Sequence, residues 1–141
     1  MISFDFSYLA VAMSTVAVFS LGFFWYSDMM FAKPWRRLIG VASADPESQA
    51  KMKKSMIPGI ISSIVGGVVM SLVLANVLIW AGVATLTSAL MVGAAIWAGF
   101  MAPFGLMNTL YGSKPLQLFY IDYGYQLTSI LLSAIILFWM I

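Results

Sequence analysis

The sequence predicts an all-α membrane protein, a four-transmembrane-helix antiparallel bundle with both termini on the outer side. Of its 141 residues, 62% are hydrophobic and 9% are charged, whereas an average globular chain carries about 25% charged residues. Residues 6–27 and 55–113 contain no charge, and at about 20 residues per span they suffice for one and two membrane spans. Residues 115–141 contain a single charge, Asp122, and supply a fourth span.

The predicted spans form one transmembrane domain over residues 1–141, at about 6–31, 56–81, 89–109 and 116–140. A cytoplasmic loop of about 32–55 joins the first two. Pro34 suits the first turn of a helix, and apolar residues alternate with arginines after it, so the loop is expected to carry a short amphipathic helix at the interface. Asp45 followed by Pro46 predicts the start of the helix that leads into the second span.

The orientation follows from the basic residues. Between the first two spans lie Lys33, Arg36, Arg37, Lys51, Lys53 and Lys54. The seventh, Lys114, lies between the third and fourth spans. The positive-inside rule therefore places both loops in the cytoplasm and both termini outside, in the inner (cytoplasmic) membrane of the cell. The basic loop should attract anionic lipid headgroups by about 1 kcal/mol per residue. Nucleic-acid binding is disfavoured because four spans leave no domain to support it.

Small residues predict where helices pack closely. Gly59, Ser63 and Gly67 recur every four residues on the second span, a spacing that allows membrane helices to approach each other. Gly99 and Pro103 share a stripe on the third span, where the proline is expected to bend the helix. The pattern does not name the partner, so a homo-oligomer and another membrane protein both stay open.

The chain contains no cysteine and no histidine. Disulfides, thiolate chemistry, histidine-ligated haem or zinc and Ser-His-Asp triads are therefore excluded, and no cofactor or metal is expected. An intramembrane aspartyl protease would need two facing carboxylates. Asp28 and Asp122 could supply them, but neither follows the glycine typical of that class. An enzymatic role is thus the least favoured.

The last span carries a polar stripe. Asp122, Gln126, Ser129 and Ser133 fall on one helical face, with Tyr125 beside it. A charge inside a membrane costs roughly 2.5–3.5 kcal/mol, so this face should meet protein or water. The predicted polar cluster near the cytoplasmic leaflet comprises Asp28, Lys33, Arg36, Asn108, Lys114, Asp122, Tyr125 and Gln126.

Two interpretations of this cluster stay open. The simpler interpretation of the charges is an ion-paired structural layer, in which Lys33, Arg36 or Lys114 pairs with Asp122. In the other, Asp122 is a half-buried carboxylate that binds a cation, a proton or a polar headgroup. The preferred function of the chain is a binding or transport protein whose unknown ligand enters a cleft around Asp122. The alternative is an accessory subunit that docks on another membrane protein through the small residues of its second span.

Two motifs carry a family resemblance, GFFWYSDMMFAKPW at the end of span 1 and APFGLMNTLYGSKPLQLFYIDYGYQ across spans 3 and 4. They resemble the bacterial membrane protein family catalogued as domain of unknown function 1761, and the resemblance extends over nearly the whole chain. The matching positions are Trp25, Tyr26, Phe31, Lys33, Trp35, Pro103, Asn108, Lys114, Pro115, Asp122 and Tyr125. The resemblance implies a four-helix integral membrane protein and no assigned activity.

Overall fold

A computed structural model describes residues 7–41 and 45–141. Helices and short turns account for this part of the chain, and none of its residues lies in a strand. The prediction of an all-α protein is therefore confirmed over the described residues. The predicted start of the first span at residue 6, the N-terminal residues before it and loop residues 42–44 lie outside them.

Four helices are long and apolar enough to cross a membrane: Tyr8–Trp25, Pro46–Trp80, Leu86–Tyr111 and Leu116–Met140. The first is α1. Ser7 caps its N-terminus, because the Ser7 hydroxyl accepts a hydrogen bond from the Ala10 N–H. A short helix, α2, follows at Ala32–Leu38. Residues 26–31, between α1 and α2, fold into a turn closed by the hydrogen bond from the Phe31 N–H to the Trp25 carbonyl. Helix α1 therefore ends six residues earlier than the predicted span.

The second membrane-length helix, α3, runs over Pro46–Trp80. Asp45 caps it by accepting a hydrogen bond from the Glu47 N–H. The helix continues through Pro58, although a proline removes one backbone hydrogen bond there. It ends before a tight turn in which Gly82 adopts a positive φ of 60°, a conformation that glycine enters without steric cost.

The third membrane-length helix is divided by a π-helical turn. Its first part, α4, covers Leu86–Ile96 and begins with a capping box formed by Thr85 and Ser88. The π turn spans Trp97–Met101, and α5 follows over Ala102–Tyr111 with Pro103 in its first turn. Because Pro103 has no N–H to donate, the backbone bonding pattern must change in the turn before it. The final helix, α6, spans Leu116–Met140.

Helix α6 is the central element, since it packs against α1, α2, α3, α4 and α5. The buried core joins the start of α1, the end of α3, the start of α4 and the end of α6. It comprises Ala10, Leu74, Ala75, Leu78, Ala89, Ile130, Ala134 and Leu137. Near it, the buried hydroxyl of Ser71 donates to that of Ser14 at 2.9 Å, which links α3 to α1. The helices are thus packed tightly at one end of the molecule.

The opposite end is open. Every residue of α3 from Lys51 to Gly66 is exposed on the surface of the chain, so the first half of this helix projects away from its neighbours. The end of α1, the turn after it, the end of α5 and the start of α6 meet at this level without α3. Asp122 and Gln126 of α6 lie there.

Candidate functional site

Asp122 lies in the second turn of α6, roughly 9 Å along the helix axis from its first residue, Leu116. One carboxylate oxygen, Oδ1, accepts two hydrogen bonds. The Tyr26 hydroxyl donates at 2.8 Å and the Trp35 indole Nε1–H donates at 3.1 Å. Both donors are neutral. No salt bridge joins Asp122 to a basic side chain among residues 7–41 and 45–141.

The turn after α1 brings these donors to the carboxylate. Trp25, the last residue of α1, donates its indole N–H to the carbonyl of Ile121 at 2.9 Å, directly beside Asp122. The Trp35 ring then lies edge-on to the ring of Tyr26, with centroids 5.5 Å apart. Aromatic side chains with one polar tip suit this position, because the ring packs while the N–H or O–H finds an acceptor.

A cleft of about 360 Å³ opens beside the carboxylate. Helices α5 and α6, the segment between them and the end of α1 form its walls. The residues that line it are Tyr26, Asn108, Thr109, Lys114, Leu118, Asp122, Tyr123, Tyr125 and Gln126. The cleft therefore combines one carboxylate, one ammonium group, two carboxamides and three phenol rings around a single space.

Two glycines make room for two of these tyrosines. A Cβ atom at Gly105 would overlap the ring of Tyr123, and one at Gly22 would come within 2.9 Å of the Tyr125 hydroxyl. That hydroxyl donates to the carbonyl of Val18 at 3.2 Å. The Tyr123 carbonyl accepts from the indole N–H of Trp97 in the π turn, at 2.9 Å. Both tyrosines are thus fixed by α1 or by the third membrane-length helix.

Five members of the predicted polar cluster line this cleft: Asn108, Lys114, Asp122, Tyr125 and Gln126. The other three lie elsewhere. Asp28 and Arg36 pair with each other at 3.3 Å, and their side chains are 66% and 39% exposed. Lys33 is exposed on α2. These charges do not form one ion-paired layer in the described chain, because Asp28 pairs with Arg36, eight residues further along, on the surface.

Several cleft residues were not predicted from the sequence: Tyr26, Thr109, Leu118 and Tyr123, together with the donor Trp35. Aromatic residues near the end of a membrane span commonly lie at the membrane interface, which accounts for their presence without a specific partner. Their composition gives no indication of which acceptor each polar tip reaches. The pairing of Tyr26 and Trp35 with Asp122 spans 96 and 87 residues of sequence and depends on how the turn after α1 folds.

Of the five predicted helix-packing residues, one is buried at a helix contact and four are exposed. Gly67 is buried, and a Cβ there would lie 3.2 Å from Cγ2 of Thr15 on α1. Gly59, Ser63, Gly99 and Pro103 are exposed. The Ser63 hydroxyl donates to the Gly59 carbonyl of its own helix at 2.8 Å. Within the described chain, only Gly67 of the five lies at a close helix contact.

The chemistry available to this site is that of a single carboxylate. Within the parts of the chain that the structure describes, no group of three acidic residues could hold a metal ion. The Oδ1 atom of Asp122 is occupied by two donors, while its side chain still lines the cleft. The arrangement can attract a cation or accept a hydrogen bond, and the tyrosine rings can stabilise a positive charge near their faces.

These features define a helical protein with four membrane-length apolar helices and a polar cleft at its open end. The model of the family described as "Protein of unknown function (DUF1761)" matches residues 9–138. The chain belongs to this family, as its two motifs predicted. No curated protein and no solved structure matches it significantly.

Proposed function

We propose that this chain is an integral membrane protein that binds a small polar ligand in the cleft at Asp122, as a binding protein or as a transporter. The observation that carries the proposal is the state of this carboxylate. It is held through Oδ1 by two neutral donors and forms no salt bridge in the described chain. A charge that served only to fix helix positions would need a counter-charge, because an unpaired charge in a membrane is costly.

The proposal includes an orientation: an antiparallel four-helix bundle in the cytoplasmic membrane, with both termini outside. The basic residues favour it through the positive-inside rule. Short turns between Trp80 and Leu86 and between Tyr111 and Leu116 suit helices that reverse direction. The core supports it too, because it joins the start of α1 to the end of α3. In this orientation the Asp122 cleft opens toward the cytoplasm.

The lipid is a further proposed partner. Lys51, Lys53 and Lys54 are all exposed on the first turns of α3. In the proposed orientation they reach the cytoplasmic surface, where each would gain about 1 kcal/mol from anionic headgroups.

A second candidate function is that of an accessory subunit or homo-oligomer that packs through α3. One observation favours it. The residues of α3 from Lys51 to Gly66 are all exposed on the described part of the chain, and a Cβ at Gly59 would meet no described atom within 4 Å. A second helix could approach there closely, as small residues permit. Cross-linking of a Gly59→Cys variant in native membranes tests this function, since only a protein contact yields a cross-linked product of defined mass.

Thermal unfolding of the purified protein with a panel of small polar and charged compounds tests the first function. Compounds that raise the melting temperature of the wild type should fail to do so for Asp122→Asn. This variant keeps an oxygen that can accept from Tyr26 and Trp35, so its fold is expected to persist. Asp28→Asn is the matched control, because Asp28 is paired on the surface outside the cleft. Equal responses of Asp122→Asn and wild type would contradict the proposal.

A further inference from the structure

A second cavity adjoins the Asp122 cleft on the side of the bundle. It has a volume of about 170 Å³ and lies between α1, α3, the π turn and α6. Val18, Met70 and Met101 give it mainly apolar walls, and Gly66 forms part of its rim on α3. We refer to it as the side groove. Methionine side chains are flexible and polarisable, so they adapt to apolar groups of different shapes.

The cleft and the side groove share two wall residues, Tyr125 and Gln126. A polar cavity with a carboxylate is therefore separated from an apolar one by these side chains alone. Gln126 follows Asp122 by one helical turn, which is roughly 6 Å along the axis. A single small molecule can span that distance.

The inner wall of the side groove carries a polar atom without a partner. Ser129 is 3% exposed, and its hydroxyl has no hydrogen-bond partner among the described residues. Buried hydroxyls are normally hydrogen-bonded, because leaving one unsatisfied costs free energy. Ser129 also lines the groove, and a rotation of its side chain would bring this buried hydroxyl to a group bound there.

The order of charges decides which sign a ligand should carry. Gln126, which lines both cavities, follows Asp122 by four residues on α6, whereas Lys114 precedes this helix. A molecule whose apolar part fills the side groove would therefore bring its charged group to Asp122 before it reached Lys114. Three tyrosines, including Tyr26 and Tyr125, line the cleft, and a cation is favoured over an anion where it meets the face of such a ring.

We infer that the ligand class of this site is the lipophilic cation, an amine or quaternary onium group attached to an apolar body. The inference rests on the proposed function, because it assigns the charged group to the Asp122 cleft. It adds that the apolar body occupies the side groove between α3 and the π turn. The bundle would thereby admit amphiphiles from the lipid side as well as from the aqueous opening of the cleft.

The test uses three probes with the full chain in phosphatidylcholine nanodiscs, with empty nanodiscs subtracted. Tetraphenylphosphonium is a lipophilic cation, tetraphenylborate is an anion of the same shape, and tetramethylammonium is a cation without an apolar body. Equilibrium binding of tetraphenylphosphonium should be about tenfold tighter than that of either other probe. Asp122→Asn should abolish the preference for the cation over the anion.

The groove is tested separately by Gly66→Leu. Gly66 lines the groove, and a Cβ there meets no atom within 4 Å, so a leucine is tolerated by the fold and is expected to narrow the groove. It should weaken tetraphenylphosphonium binding about tenfold and leave tetramethylammonium unchanged. The matched control is Gly59→Leu, which makes the same change on the same helix outside the groove and should bind like wild type.

Three results would overturn the inference. If tetraphenylborate binds as tightly as tetraphenylphosphonium, the site does not select by charge. If tetramethylammonium binds as tightly as tetraphenylphosphonium, the apolar body contributes nothing to affinity, and only the cation-binding cleft of the proposed function remains. Absence of binding by all three probes would refute the ligand class, while the proposed function would still stand or fall on the response of Asp122→Asn to the polar compound panel.

Discussion

Asp122 is positioned by neutral side chains from two other elements, Tyr26 after α1 and Trp35 on α2. This arrangement differs from a structural ion pair in one important respect. Neutral donors fix the position of a carboxylate without forming an ion pair, whereas a lysine or arginine in contact would do both. Lys114 lines the same cleft but forms no salt bridge with Asp122 in the described chain, so the carboxylate is ordered and can still attract a cation.

The Tyr26 hydrogen bond should contribute measurably to stability. Tyr26→Phe removes the hydroxyl and keeps the ring that packs on Trp35 and Tyr125. We expect it to lower the free energy of unfolding by about 1.5–3 kcal/mol, the value for a hydrogen bond to a charged group. Unfolding by titration with a denaturing detergent measures it. The matched control is Tyr120→Phe, at a tyrosine that is 65% exposed. Equal losses in both variants would show that the bond to Asp122 contributes nothing.

The sequence predicts some residues of the site and not others. Asn108, Lys114, Asp122, Tyr125 and Gln126 could be grouped because helical periodicity and a short turn place them at one level. Asp28 was grouped with them because its depth is similar, but depth along a span does not determine which side of the helix a residue occupies. Tyr26 was missed for the converse reason. Its partner is set by a turn that hydropathy does not reveal.

At the scale of elements, adjacent glycines on α3 have different surroundings. A side chain at Gly67 would meet Thr15 on α1, while one at Gly66 would meet open space. Gly67→Leu should therefore separate α1 from α3 and lower the free energy of unfolding by about 1–3 kcal/mol, as overpacking usually does. Gly66→Leu serves as its control and should have little effect in the same assay. A comparable loss in both would mean that the helices are oriented differently.

The start of α3 gives a prediction about pH. The Ser48 hydroxyl and the Glu47 N–H bond to the Asp45 carboxylate and lower its pKa below the ordinary value of 3.8. Because the charged form is favoured by folding, its contribution is complete above the ordinary pKa and is lost as pH falls through the lowered one.

Asp45→Ala should accordingly destabilise the protein at neutral pH and lose this effect in strong acid. Asp45→Asn is the control, because an asparagine caps a helix without titrating. Melting temperatures of the three proteins across this pH range give the comparison. An Asp45→Ala deficit that is independent of pH would contradict a role for the charged cap.

The helices themselves were predictable because each depends on local sequence. Asp45 and Pro46 mark the start of α3, and apolar length indicates four membrane-length helices. The third was expected from about residue 89, whereas it begins at Leu86 behind the Thr85 cap. The π turn was not predicted, although Pro103 indicated a disturbance in this region. A helix can relieve a missing backbone bond by bending or by a wider turn, and hydropathy does not distinguish them.

The whole molecule is closely packed at one end and open at the other. The core cluster of α1, α3, α4 and α6 holds the first end together, while the projecting half of α3 leaves the second accessible. A membrane protein with this form can enclose a ligand site without a loop or lid. The proposed orientation places the open end at the cytoplasm, where the basic residues also lie.

The orientation can be tested by cysteine labelling, since the chain has no native cysteine. Ala50→Cys on the first turns of α3 and Ala84→Cys in the turn before α4 are both at exposed positions. In intact cells, a membrane-impermeant maleimide should label Ala84→Cys and leave Ala50→Cys unmodified until the membrane is permeabilised. Labelling of Ala50→Cys from outside would reverse the proposed topology.

The most direct test of the account asks whether water reaches the cleft at Asp122. Gln126→Cys places a thiol in the cleft, and Leu127→Cys places one a single residue along the same helix, against the apolar core. We predict that a charged, water-soluble thiosulfonate modifies Gln126→Cys and leaves Leu127→Cys unmodified, and that a cationic reagent reacts faster than an anionic one because of Asp122. If Gln126→Cys is as unreactive as Leu127→Cys, the cleft is closed to water, and Asp122 does not form a binding site.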